Sequence, residues 1–232
     1  MALLSYESRE GGVVLLRMDD GKANALSHDM LGALDEALGR AEKEASAVVL
    51  AGRPGKFCAG FDLKQMMAGV AEAQALVSRG AESLLRLYAL PLPLVVACTG
   101  HALAGGALVV LTGDVRVATR GAFRIGLNEV QIGMPVPILA MELARARLEP
   151  RHLLRSTLFA EIVDPDAALS AGWVDEVVTE DALLDVAHAH ATRLAALPRH
   201  AFAKTKMALR EQTIRYVRDT LASDMARLTP PG

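Results

Sequence analysis

Three times between residues 13 and 112, a short apolar run is followed by a turn containing glycine and then by a stretch with helical spacing. The apolar runs are residues 13–18, 47–51 and 93–98, and a fourth, 114–118, closes the series. Runs 47–51 and 93–98 are apolar throughout rather than alternating, the mark of a buried strand. The helical stretches are residues 28–43, 71–88 and 105–111. Ser27 stands where an N-cap is wanted, ahead of Met30, Leu31, Leu34 and Leu38 at helical spacing. Strand, turn and helix in this alternation predict an α/β protein.

From about Leu139 the pattern changes. Residues 141–148, 151–158, 165–171, 183–197 and 201–227 read as helices, with one extended break at 174–178. No low-complexity linker and no reliable internal repeat divides the chain. The division is placed at residue 190: residues 1–190 form the core, and 191–232 a helical C-terminal region.

With 232 residues, 52% of them hydrophobic, the chain can build a sizeable core. With a net charge of -2 and scattered Lys and Arg, nothing points to a nucleic-acid surface, and no nucleic-acid partner is expected. The most apolar stretch, residues 90–111, is broken by Pro91, Pro93, Gly100, His101, Gly105 and Gly106. That suits a buried strand, a loop and a helix start, not a membrane-spanning helix, so no membrane partner is expected. Cys58 and Cys98 show no metal-like spacing and read as reduced packing residues. Residues 1–7 lack a basic segment and a long apolar stretch, so a cytoplasmic location is expected. His188 and His190 cannot share a helix face, and no HExxH, P-loop or GxSxG is present. No metal site is expected. His101 and Trp173 read as packing residues.

Chemistry concentrates in three segments. The first is Phe57-Cys58-Ala59-Gly60-Phe61-Asp62-Leu63 and the second is Gly100-His101-Ala102-Leu103-Ala104-Gly105-Gly106-Ala107. Both are glycine turns leading from an apolar run into a helix. Glycine lets backbone approach a ligand closely, and N–H groups at a helix start favour an anion. The third is Ile125-Gly126-Leu127-Asn128-Glu129, in which a glutamate sits among mostly apolar neighbours. Such surroundings raise a carboxyl pKa toward the range where a proton is readily exchanged near neutrality.

In this order the three segments resemble the crotonase superfamily, the enoyl-CoA hydratases and isomerases. The resemblance covers about residues 13–206. It implies a spiral of ββα repeats ending in helices that make trimer contacts, so a homotrimer or a dimer of trimers is expected. It implies an acyl-CoA thioester substrate, with coenzyme A part of that substrate and no separate cofactor. It assigns the backbone N–H groups of Phe61 and Gly105 to an oxyanion hole and Glu129 to proton transfer. Losing one such donor typically costs ~3 kcal/mol of transition-state stabilisation. It also places Lys22, Ala23, Ala59, Asp62, Leu63 and Lys206 at the CoA moiety, and Leu108 and Met134 in the acyl pocket.

Two details separate reactions within that family. The Ile-Gly-Leu-Asn-Glu segment is similar to that of monofunctional 3,2-trans-enoyl-CoA isomerases. Hydratases carry a second glutamate where this chain has Leu108, and a Gly-rich stretch where it has Gly133-Met134-Pro135-Val136-Pro137. One acid suffices to shift a double bond, whereas hydration uses two. The expectation is therefore an isomerase, ahead of a one-glutamate hydratase, a catalytically silent CoA-binding homologue, or another enolate reaction such as decarboxylation or thioester hydrolysis. Phe61 is larger than the alanine frequent at its position, and its ring is expected to line or narrow the acyl pocket.

Overall fold

The computed structural model describes residues 2–228. A six-stranded sheet forms its centre. β1 (Leu4–Ser8) pairs antiparallel with β2 (Val13–Met18), and the chain then enters α1 (His28–Glu44). Ser27 caps α1 as expected, its Oγ accepting from the Met30 N–H at 3.1 Å. Next come β3 (Ala47–Ala51), β4 (Gly55–Cys58), α2 (Leu63–Met66) and α3 (Val70–Ala89). The pattern recurs as β5 (Leu94–Cys98), β6 (Gly100–Leu103) and α4 (Gly105–Thr112), and again as β7 (Val115–Thr119), β8 (Ile125–Gly126) and α5 (Ile138–Arg147). After α6 (Leu153–Ser156) and α7 (Pro165–Ala171), β9 (Glu176–Val178) completes the sheet, and α8 (Leu183–Ala195) and α9 (Arg199–Met225) follow.

Each repeat sends its first strand to the large sheet and its second to a small one. The large sheet runs β1-β2-β3-β5-β7-β9, parallel beyond β2. The small sheet is β4-β6-β8, all parallel. This is the expected spiral of ββα units. β3 and β5 are buried at every position because both faces of the large sheet are covered. Val13, Leu15, Val49 and Val95 face Leu183, Ala187 and Ala191 of α8. Leu16, Val48, Leu50 and Val96 join the opposite core beneath α1 and α3.

Four strands went unread in the sequence: β1, β4, β6 and β8. The last three have two to four residues each and carry Gly55, Gly100 and Gly126, which depress strand propensity. The glycines serve packing instead, since a Cβ on Gly100 would collide with the backbone of Gly55. Residues 151–158 hold only α6 and a 3₁₀ turn rather than the longer helix expected. The boundary at residue 190 also needs correction. It falls inside α8, whose Ala187 and Ala191 pack on the sheet together. The helix that leaves the sheet is α9, which lies against α3 and α5.

Candidate active site

The strands of the small sheet are parallel, so their C-terminal ends share one edge. Three loops leave that edge, and each carries one part of the candidate site.

The first loop follows β4. Leu26 N–H donates to Gly60 O at 2.8 Å, Asp62 N–H to Leu26 O at 3.2 Å, and Ala59 N–H to Ala23 O at 3.0 Å. Between these bonds the Phe61 N–H is left with no backbone acceptor among the described residues. Asn24 anchors this side, its side-chain N–H group donating to Met18 O, Lys56 O and Phe57 O at 3.0 to 3.1 Å.

The second loop follows β6. Ala104 adopts φ 48°, ψ -123°, a conformation that costs a residue other than glycine about 1–3 kcal/mol. Its N–H donates to Gly126 O at 3.0 Å, which holds the kink. The kink makes Gly105 the first residue of α4, where an N–H has no intrahelical acceptor. The two loops touch. Gly60 has φ 95°, and a Cβ there would lie 3.0 Å from Leu103 O and 3.3 Å from Gly105 N. Glycine at 60 therefore satisfies the left-handed backbone and keeps the approach to the Gly105 amide open.

The third loop follows β8 and delivers Glu129, which is 7% exposed. Its carbonyl accepts from Met134 N–H at 2.9 Å and Ile132 N–H at 3.1 Å, which fixes the backbone under the side chain. Its Oε2 has no hydrogen-bond partner among the described residues. Burial pushes the carboxyl up to about 7, because removal from water disfavours the charged form.

A cavity of about 180 Å³ joins these parts, lined by Ala59, Phe61, Leu63, Ala104, Leu108, Glu129 and Met134 among others. Six residues singled out in the sequence thus meet there, with Gly105 beside them. Leu108 of α4 forms an apolar wall of the cavity. Sequence reasoning missed Asn128, Ile132 and Leu228, which also line the cavity. Asn128 had a signal, since it precedes Glu129 in the motif, and its buried Oδ1 likewise lacks a partner. Leu228 had none.

Other expected residues stand apart. Asp62 caps α2, its Oδ1 accepting from Gln65 N–H at 2.9 Å. Lys22 is exposed, and its carbonyl accepts from Arg53 Nη1 at 3.3 Å. Ala23 presents its carbonyl to Ala59 rather than its side chain to the cavity. Lys206 is a correction. Expected to reach a CoA phosphate, it is buried, and its Nζ donates to Asp114 Oδ2 at 2.7 Å and Leu92 O at 3.1 Å. Burial pulls its ammonium down to about 8, against the pull of Asp114. His101 accepts the Arg124 N–H on Nδ1 and packs edge-on against Phe123, outside the cavity. Trp173 is fully buried, as a packing residue would be.

Chemically, the arrangement can take a proton from a carbon next to a carbonyl while two backbone N–H groups receive the resulting oxyanion. Among the described residues no group of three His, Cys, Asp or Glu could hold a metal, and no helix is long and apolar enough to cross a membrane.

Known proteins share this fold. The profile of the family described as Enoyl-CoA hydratase/isomerase matches residues 8–229. Human mitochondrial enoyl-CoA delta isomerase 1 is 33% identical over 207 residues, covering 87% of this chain and 68% of its own length. A probable enoyl-CoA hydratase of Mycobacterium avium is 32% identical, covering 88% and 80%. The crystal structure of an enoyl-CoA hydratase/isomerase family protein from Pseudomonas syringae superposes with a TM-score of 0.95 at 38% identity, covering 98% of each chain.

Proposed function

Because the chain belongs to the enoyl-CoA hydratase/isomerase family, we propose that it is an enoyl-CoA isomerase, moving a double bond from C3 to C2 of an acyl-CoA thioester. One observation carries the choice within the family. A single buried carboxylate, Glu129, faces the cavity, and the α4 wall supplies Leu108 instead of a second acid.

In the reaction, ionised Glu129 removes a proton from C2 of the 3-enoyl thioester. The electron pair moves toward the thioester oxygen, and the Phe61 and Gly105 N–H groups stabilise the dienolate. Protonated Glu129 then returns the proton at C4, and the double bond settles between C2 and C3. A carboxyl with a pKa near 7 suits both halves. An apolar cavity withholds the water that hydration would need. No cofactor enters this scheme, and coenzyme A arrives as part of the substrate.

Homotrimer or dimer-of-trimers assembly and a cytoplasmic location belong to the same proposal. Exposed apolar side chains such as Leu209, 79% accessible on α9, support the first. Two buried unpaired cysteines support the second.

The test is the growth of conjugated-thioester absorbance on mixing purified protein with a 3-enoyl-CoA, with Glu129→Gln in parallel. Conjugation that depends on Glu129 is expected. Hydration of a 2-enoyl-CoA without any double-bond shift would replace the isomerase reading with the hydratase.

A further inference from the structure

Phe61 contributes its backbone to one purpose and its ring to another. The ring is held between two glycines. A Cβ on Gly80, in the interior of α3, would collide with Cε1 and Cζ of the ring. A Cβ on Gly105 would lie 3.2 Å from Cε2. Glycine inside a helix costs about 1 kcal/mol relative to alanine, and at Gly80 the ring accounts for it.

Behind the ring lies a second hollow of about 20 Å³, bordered by apolar side chains and by Asp224. Phe61, Val77, Leu108 and Pro137 border both this hollow and the Glu129 cavity. Its far side is Leu221 and Met225 of α9. That side is pinned: Gln74 Nε2 donates to Met225 O at 2.9 Å, and Asp224 Oδ2 accepts from Ile138 N–H at 2.8 Å. The wall under α9 is fixed, so the ring is the partition.

We propose that the Phe61 ring sets the length of acyl chain this site accepts, restricting it to short thioesters of about six carbons. The inference rests on the acyl-CoA reading of the cavity. The volume supports the limit: an apolar protein cavity of roughly 150 Å³ houses one benzene, six carbons, and the Glu129 cavity measures about 180 Å³. A longer chain must displace the ring into the α9 hollow, where there is room for little more than one methyl group. Removing the ring joins the two spaces and extends the path to Leu221.

The experiment compares hexanoyl-CoA and dodecanoyl-CoA binding by calorimetry, and kcat/KM on the matching 3-enoyl-CoA pair, in native protein, Phe61→Ala and Phe61→Leu. The native protein is expected to favour the six-carbon ligand by at least tenfold. Both substitutions should shift the twelve-to-six preference toward the longer chain, alanine by tenfold or more and leucine by less. A preference within twofold of native in both variants, or a native protein that binds the twelve-carbon chain equally well, overturns the proposal. Saturated ligands bind without turnover, so failure of the isomerase reading alone would leave the binding series decisive. Leucine keeps the site filled should the alanine variant not fold.

Discussion

Asp114 and Glu129 are both carboxylates withdrawn from water, and they are treated in opposite ways. Asp114 accepts from Lys206 Nζ at 2.7 Å, Arg210 Nη2 at 2.8 Å and Leu94 N–H at 2.8 Å. Arg210 in turn donates to Tyr88 O at 2.6 Å and stacks over the Tyr88 ring at 4.2 Å. Among the described residues Glu129 forms no ion pair, and its Oε2 has no hydrogen-bond partner. The first acid is surrounded by donors and ties α9 to the sheet, with Arg210 reaching on to α3. The second is poised to exchange a proton. Burial alone decides neither role; the partners do.

The sharpest break of this comparison is Glu129→Gln. The amide keeps the shape and removes the proton, so kcat on a 3-enoyl-CoA should fall about 10⁴-fold, the upper range for loss of a general base. A loss under tenfold in a stopped-flow assay would remove Glu129 from the chemistry. Asp114→Asn should do the reverse. It leaves Lys206 and Arg210 buried without a counter-charge, and urea denaturation should show about 3–5 kcal/mol lost. The folded fraction should keep its kcat.

Glu129→Gln should also stabilise the fold. A carboxyl raised from 4.5 to about 7 favours the native state when protonated, and that contribution is lost as pH rises through 7. Relative to the native protein, the glutamine variant should therefore gain about 3 kcal/mol at pH 8 and almost nothing at pH 4. Denaturation at the two pH values checks the sign. In activity, kcat/KM should fall tenfold per unit below pH 7, as Glu129 takes up its proton. The smallest effect is expected from Lys206→Met, which should cost stability but leave KM for an acyl-CoA within about twofold. A larger change in KM would restore Lys206 to the ligand.

Legibility in the sequence followed the same line. β3 and β5 were visible because complete burial leaves an unbroken apolar run, and α1 because Ser27 caps it. Glu129 and Phe61, which line one cavity, and Gly105 beside them each stand in a short local motif, so the sequence could single them out. β4, β6 and β8 were not: they are too short for a periodicity, and their glycines argue for turns. Lys206 misled because the resemblance placed it at the CoA moiety, which needs a solvent-facing ammonium, and nothing local shows that it is buried. Its burial depends on Asp114, 92 positions away, and no local pattern records that. Leu228 and the ring contact at Gly80 are hidden for the same reason, since both depend on segments brought together only by the fold.

The edge of the small sheet has a consequence for the order of events during synthesis. Its three loops come from three successive turns of the spiral, and the far wall of the hollow behind Phe61 comes from α9, much later in the chain. No single turn of the spiral holds Phe61, Gly105, Glu129 and that wall together. A chain emerging from the ribosome therefore carries the Phe61 and Gly105 loops first, gains Glu129 next, and completes the hollow behind Phe61 only when α9 folds back over α3.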